Sequence, residues 1–409
     1  MYNINYYNHN IKKYNNNLLL KVAKCIVNNI DSDSPYYQIF KKHGSQRLAQ
    51  TLRKIADKIR NTFSDLVVIS MGGATLNPEM LVKFLGQDKY SPRIYFLNNT
   101  DPFFFIEIIN AIELKNSAFI GISNSGDTLE TNSLVGCMLQ EYQKNNIQDV
   151  SDRSFFITNN KSGVLQDIAK QIGGTLVLHQ EGISGRYSGL SSVSLLIGLI
   201  AGVDIDSYLS GANEVIEDFY SNLNKSKPVL SASSIYYSSK NILINIGYLQ
   251  KFSTFLEWYS QIIAESLGKK NKGFTPLKGS GPNDQHSMLQ LYLDGPRDKY
   301  FSFFYVDRIN QDVLKYRSIN INTLGYLANK SILDINKLNH NTTMNALIRK
   351  KLPVRSIILN DISSKSFGAI TCHLMFEIIT IGHLMKVNPF NQPGVELIKT
   401  DSKKLLSNL

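Results

Sequence analysis

What most limits the folds open to this chain is a recurring alternation of short apolar bursts with segments long enough for a crossover helix. Residues 46–66 place Leu48, Leu52, Ile55, Ile59 and Phe63 at helical spacing and run straight into the burst LVVIS at 66–70. Further bursts follow at 94–97 (IYFL), 117–123 (SAFIGIS), 154–158 (SFFIT) and 175–178 (TLVL). Strands that are apolar on successive residues are buried on both faces, the setting of a parallel sheet between helical layers. After a polar stretch at 220–234 the cadence restarts at 242–246 (ILINI), 300–306 (YFSFFYV) and 356–359 (SIIL), with a long helix expected over 252–270. The expectation is an α/β protein with two doubly wound, mainly parallel sheets.

A length of 409 residues suits two or three domains, and 43% apolar with 19% charged residues excludes collagen-like, disulfide-scaffold and wholly disordered classes. Cys25, Cys137 and Cys372 are widely spaced and form no CxxC pair, which suits a reducing compartment and a cytoplasmic address. The opening MYNINYYNHNIKKYNNN lacks the layout of a signal peptide and reads as an Asn-rich polar lead-in expected to fray. The longest apolar run, 193–203, falls short of the ~20 residues of a bilayer crossing, so no membrane partner is expected. A formal charge of +11 is spread over scattered basic pairs such as Lys12-Lys13 and Lys269-Lys270, without the clustering of a nucleic-acid reader.

Several loops carry residues with chemical potential. The first burst ends in Ser70-Met71-Gly72-Gly73-Ala74-Thr75, paired glycines where a strand turns into a helix; unpaired N–H groups there suit an anion, and a ligand-free tight turn is the alternative. The third ends in Ser123-Asn124-Ser125-Gly126-Asp127-Thr128, whose hydroxyls can donate to phosphate oxygens, although each is also an ordinary helix cap. Such a loop lies at the carboxyl end of a strand, where open α/β sheets bind ligands. Arg186, beside Gly185, is either a fixed charge for a developing oxyanion or a solvated loop arginine. On the expected helix 252–270, Gln261 and Glu265 share a face. Glu265 is either a partly desolvated base or a solvated partner of Lys269. The turn-rich segment 279–287 presents His286, the most loop-like of seven histidines. Near the end, Gln392 precedes a Pro-Gly turn and Lys399 follows it. His373 and Glu377 are four apart but lack a metal-ligand set, and no GxGxxG, P-loop or GxSxG motif is present.

Taken in order, MGGATLNP, SNSGDTLET, ISGRYS, QIIAESLGK, NDQHS and FNQPGVELIK resemble the blocks of the phosphoglucose isomerase family and span residues 71 to 399. The resemblance implies two sugar-isomerase (flavodoxin-like) domains near 40–205 and 206–385. Before them lies a helical lead-in at 1–39, and after them a helical tail at 386–409 that returns to the active site. It implies reversible isomerisation of glucose 6-phosphate and fructose 6-phosphate through a cis-enediolate. Glu265 would then be the base, Arg186 the enediolate stabiliser, and His286 and Lys399 the ring-opening groups. Gly73, Ala74, Ser123, Asn124, Ser125, Thr128, Gly185, Gln261 and Gln392 would contact the phosphosugar. No cofactor or metal is implied, and a homodimer sharing active sites is, because the family takes the histidine loop from the neighbouring subunit.

Two positions depart from the family pattern: Asn124 stands where many members carry lysine, and Ala74 where many carry serine after the double glycine. Charged hydrogen bonds are roughly twice as strong as neutral ones, so the loss of that lysine bears on phosphate affinity unless Lys269, Lys270 or Lys272 compensates. Asp127 adds a negative charge to the same loop. The rival expectations are a bifunctional phosphoglucose/phosphomannose isomerase and a non-catalytic phosphosugar sensor.

Overall fold

A computed structural model describes residues 1–9, 14–31, 34–41, 46–159, 162–309, 321–395 and 405. The first elements are β1 (Tyr2–Tyr7), α1 (Asn16–Ile30), α2 (Pro35–Phe40), α3 (Gln46–Thr62), β2 (Asp65–Ser70), α4 (Gly73–Leu85), β3 (Arg93–Leu97) and α5 (Pro102–Ala111). Next come β4 (Ser117–Ile122), α6 (Leu129–Lys144), α7 (Val150–Arg153), β5 (Ser154–Thr158), α8 (Val164–Ile172), β6 (Thr175–Leu178), α9 (Ser192–Ile200), α10 (Ile205–Asn222) and α11 (Lys227–Tyr236). The remainder are β7 (Ile242–Gly247), α12 (Phe252–Leu267), β8 (Thr275–Ser280), α13 (Leu289–Asp294), β9 (Lys299–Arg308), α14 (Ile332–Arg349), β10 (Val354–Asp361) and α15 (Ser364–Met385).

The strands form two five-stranded sheets. The first runs β3-β2-β4-β5-β6 with every neighbour parallel. In the second, β1-β10-β9-β7-β8, all pairs are parallel except β1 on β10. Alternate residues explain the apolar bursts. Leu66 and Val68 of β2 face one core while Val67 and Ile69 face another, and Tyr300 and Phe304 of β9 oppose Phe301 and Phe303 in the same way. The inner faces of both sheets feed one continuous core, filled by α4, α9, α10, α12 and α15, and the outer faces have smaller cores of their own. The α/β expectation with two mainly parallel sheets therefore holds.

The N-terminal expectation needs correction. Residues 2–7 are neither frayed nor helical: they form β1, antiparallel to β10 from Tyr2 opposite Leu359 to Tyr7 opposite Val354. YNINYY is a half-buried strand pattern, with Tyr2, Ile4 and Tyr6 inward and Asn3 and Asn5 exposed. The polar stretch 220–234 overlaps most of α11, whose serines are buried partners: Ser231 Oγ accepts from Arg355 Nη1 at 2.6 Å, and Ser234 shares a hydrogen bond with Tyr300 OH at 2.7 Å. Strand β8 carries no apolar burst because it is an edge strand with mostly exposed residues, and it tolerates Pro276 for the same reason.

Helix α15 is long and apolar enough to cross a membrane by length and composition, yet 94% of that stretch is buried inside the fold. It approaches α10 closely: a Cβ on Gly368 would run into the carbonyl oxygen of Tyr208. Glu377 on this helix joins a buried ionic network, and His373 shares a hydrogen bond with Tyr2 OH at 2.8 Å. Glu377 accepts from Arg355 and from Tyr259 OH, with all three side chains fully buried. Burial alone would raise the Glu377 carboxyl; the Arg355 guanidinium and His373 outweigh it and hold it well below the usual carboxylate range.

Candidate functional site

The first sheet's order places β3 and β4 on opposite sides of β2, so the chain changes direction between β2 and β4. The crevice at such a switch point, at the carboxyl ends of the strands, is where open α/β sheets take ligands. The two glycine- and hydroxyl-bearing loops lie at this place. Gly72 adopts a φ of +58°, and Gly73 opens α4. A Cβ on Gly73 would sit 2.6 Å from Cα of Arg186 and nearer still to its backbone nitrogen, so only glycine allows the turn bearing Gly185 and Arg186 to pack there. Asn77 secures this approach, donating Nδ2 to Gly73 O at 2.7 Å and to Gly185 O at 2.9 Å. A Cβ on Gly185 would lie 3.3 Å from Ala74 N, so Gly73, Ala74 and Gly185 form one surface.

In the β4–α6 loop, Ser123 and Thr128 share a hydrogen bond of 2.9 Å, and Ser123 Oγ accepts from Gly126 N at 3.1 Å. No side chain caps the N-terminus of α6. Ser125 is exposed, its Oγ accepting from Asp127 N. Asp127 turns away to accept from Val164 N at the start of α8, where a carboxylate is favoured by the helix dipole. Asn124 donates Nδ2 to Ile183 O at 2.8 Å, so its amide ties the loop to the segment leading to Arg186.

Arg186 is 1% exposed, which rules out the solvated-loop alternative. All five of its guanidinium hydrogens are engaged. Nε donates to Ser266 Oγ at 2.9 Å; Nη1 donates to Glu265 Oε2 at 3.1 Å and Gln392 Oε1 at 2.7 Å; Nη2 donates to Pro389 O at 2.8 Å and Asn391 O at 3.1 Å. Its own carbonyl accepts from Trp258 Nε1 at 2.9 Å. Gln261, one turn before Glu265 on α12, donates Nε2 to Glu265 Oε1 at 2.7 Å, and the same nitrogen lies 3.2 Å from where a Cβ on Gly72 would be. Thus Gly73, Gly185, Arg186, Gln261, Glu265 and Gln392 are brought together from distant parts of the chain.

Glu265 does not pair with Lys269, as one alternative had it. Its carboxylate, with 31% of the side chain exposed, is held by Arg186 and Gln261. Lys269 instead donates to Ser266 O at 2.9 Å and Asn388 O at 2.6 Å. Burial, reinforced by the like charge of Arg186 and opposed by Glu265, lowers the Lys269 ammonium to about 8. Glu265, Lys269, Lys270, Gln392 and the backbone after α15 line a cavity of about 630 Å³.

His286 is exposed in the short turn Asn283–His286 and does not line the Glu265 cavity within this chain. The turn is anchored by Gln285, which donates to Asn339 O at 2.8 Å, and by Asp284, which accepts from Tyr292 OH. Lys399 lies outside the described residues. Among the described residues no cluster of three or more His, Cys, Asp or Glu side chains could hold a metal ion. Sequence reasoning missed Asn77, Ser266 and the carbonyls of Pro389 and Asn391, and it assigned Lys269 no contact with the tail. Of these, Ser266 and Lys269 lie inside the quoted QIIAESLGK block, Asn77 inside MGGATLNP and Asn391 inside FNQPGVELIK.

The sequence model of the family described as Phosphoglucose isomerase matches residues 46–409. A glucose-6-phosphate isomerase of Methanocaldococcus jannaschii is 31% identical over 344 residues, 83% of this chain and 83% of that one. A glucose-6-phosphate isomerase of Campylobacter jejuni is 30% identical, covering 88% of this chain and 89% of its own. Among solved structures, a hypothetical protein from Thermus thermophilus superposes with a TM-score of 0.88 at 25% identity, covering 95% of each chain. A glucose-6-phosphate isomerase from Chlamydia trachomatis shares the fold with a TM-score of 0.79 at 20% identity, over 95% of this chain and 78% of that one.

Proposed function

We propose roles for the site residues from the premise that the chain belongs to the phosphoglucose isomerase family and interconverts glucose 6-phosphate and fructose 6-phosphate. Glu265 is the base. Its carboxylate takes the C2 proton of the open-chain aldose, the electron pair forms the C1–C2 double bond, and the C1 carbonyl oxygen becomes the enediolate oxyanion. The O2 hydroxyl proton then passes to O1, which becomes the C1 hydroxyl, and as O2 becomes the ketone oxygen the C1–C2 double-bond electrons take the proton back from Glu265 at C1. Proton transfer between adjacent carbons needs a base and a fixed positive charge, and Arg186 supplies the latter. Since all five Arg186 donors are occupied, a substrate oxygen reaching Nη1 displaces Gln392, which then serves as a hydroxyl contact alongside Gln261.

The phosphate binds at the switch point, against the N–H groups of Gly73 and Ala74, the hydroxyls of Ser123, Ser125 and Thr128, and the uncapped start of α6. Asn124 acts there by holding the loop to Ile183, so the missing lysine charge is not restored by its side chain. His286 and Lys399 open the ring, with His286 delivered by a second copy of the chain. A homodimer in the cytoplasm is the working form, and the three cysteines being free thiols fits a reducing compartment.

The observation that carries this reading is the Arg186–Glu265–Gln261 array, which fixes a carboxylate beside a buried guanidinium at the switch-point crevice. Glu265→Gln is expected to lower turnover of fructose 6-phosphate to glucose 6-phosphate by about 10² to 10⁴, with the circular dichroism spectrum unchanged. A variant with near-parental turnover overturns the assignment of the base.

A further inference from the structure

Arg186 owes three of its five hydrogen bonds to residues 389–392, the stretch that follows α15. Whatever holds this stretch therefore sets the geometry of the guanidinium. The chain leaves α15 at Lys386, in the left-handed region at φ +57°, and is anchored by Val387 N donating to Gly382 O at 2.9 Å. Further on, the Phe390 ring packs edge-on against Tyr36 at 4.7 Å and at a tilt against Tyr187 at 5.4 Å. Between these anchors lies Asn388, whose carbonyl accepts from Lys269 Nζ at 2.6 Å. The same nitrogen donates to Ser266 O, and Ser266 Oγ accepts from Arg186 Nε.

We propose that Lys269 is a positioning residue for the isomerase site: its ammonium staples the returning tail to the end of α12 and so fixes Gln392 and the Pro389 and Asn391 carbonyls on Arg186. Lys269 touches both sides of the guanidinium's surroundings, the α12 residue below it and the tail residue just before Pro389. A primary ammonium carries three donors and can hold two carbonyls at once, whereas a neutral amine makes weaker bonds to both.

The charges around Lys269 are Arg186 from the turn after β6, Glu265 from the last turn of α12, and Lys270 and Lys272 from the turn Lys269 itself opens; the tail residues 387–395 contribute none. Burial and Arg186 together bring its ammonium down to about 8. The staple is thus charged at neutral pH and is lost as the pH rises through this value. Arginine at this position stays protonated throughout the range.

The inference rests on the assignment of Arg186 and Glu265 as site residues. The test compares the parent, Lys269→Met and Lys269→Arg as purified full-length proteins, measuring kcat, KM for fructose 6-phosphate and the pH profile of kcat from pH 6 to about 10. Lys269→Met is expected to lose about tenfold to 10²-fold in kcat, the scale of a small misplacement of catalytic groups, with a smaller change in KM. Lys269→Arg is expected to recover most of kcat and to shift the basic limb of the profile upward. A Lys269→Met enzyme with parental kcat, or a Lys269→Arg enzyme whose basic limb stays in place, overturns the proposal. If Lys269→Met fails to fold, the limb of the Lys269→Arg profile decides alone. A parent protein inactive on fructose 6-phosphate would sink the isomerase reading itself, which separates the two failures.

Discussion

Replacing Gly73 by alanine adds one methyl group at the tightest contact in the site. That carbon would lie 2.6 Å from Cα of Arg186, and ordinary contact begins at 3.4 Å, so one of the two turns must withdraw by about 0.8 Å or more. The obstacle is backbone, which cannot swing aside as a side-chain tip would. Asn77 donates to the carbonyls of both Gly73 and Gly185, so separating the turns also stretches these two bonds. Arg186 would be carried away from Glu265 and Gln392 by a comparable distance, and a displacement of about 1 Å at a reacting centre costs on the order of 10²-fold in rate. Overpacking should remove about 1 to 3 kcal/mol of stability. The assay is coupled turnover of fructose 6-phosphate together with thermal unfolding followed by circular dichroism. Gly136→Ala is the control: Gly136 lies on the exposed face of α6 with nothing within 4 Å of an added Cβ. It should gain about 0.5 to 1 kcal/mol by the usual helix preference and leave turnover unchanged. A Gly73→Ala enzyme with parental kcat and melting temperature would show the two turns to have slack, and the close-approach argument would fail.

Further tests address other levels. Mixing Glu265→Gln with His286→Ala chains, each inactive alone, and exchanging subunits should restore about one quarter of parental activity. Half of a random mixture of symmetric dimers is hybrid, and each hybrid has one intact site; no recovery would place His286 in the same chain as its Glu265. Glu377→Gln should cost about 3 to 5 kcal/mol at neutral pH by leaving Arg355 buried without its counter-charge. Because the folded Glu377 carboxyl is held below its unfolded value, its contribution is complete above the unfolded pKa of about 4.3 and declines as pH falls toward the folded one. The gap in denaturant midpoint between parent and variant should therefore narrow below about pH 4; a gap independent of pH would contradict the ionic assignment.

Much of the scaffold could be read from residue order because its strands are buried on both faces. β5 and β6 coincide with the bursts SFFIT and TLVL, and the other apolar strands begin or end within two residues of theirs. The misses share a cause: β1 and β8 are edge strands, where a pattern of tyrosine and asparagine, or an exposed TPLKGS, carries little apolar signal. The site was legible in part. Loop glycines and hydroxyls mark strand ends, but no local feature tells a buried arginine from a solvated one. Arg186 is buried because Ser266, Gln392 and two tail carbonyls, from 80 to 206 residues away in sequence, converge on it. Nor does spacing decide whether Glu265 pairs with Lys269 one turn on or reaches across to another element, since the tail carbonyl that captures Lys269 is equally remote.

The helical layer common to both sheets has a mechanical consequence. Helix α4 begins at Gly73 and α12 ends near Glu265, and the two lie against each other, with Phe84 and Phe252 rings 5.2 Å apart. The seam that gives the protein its shared interior is thus also the rod connecting the Gly73 crevice, proposed for the anion, to the carboxylate of Glu265, proposed as the base. The largest core belongs to both halves at once, so a severed half would keep only its small outer core, bare an oily surface and lose the ruler that spaces the Gly73 crevice from Glu265. Substitutions that loosen this seam should blunt catalysis well before they melt the molecule.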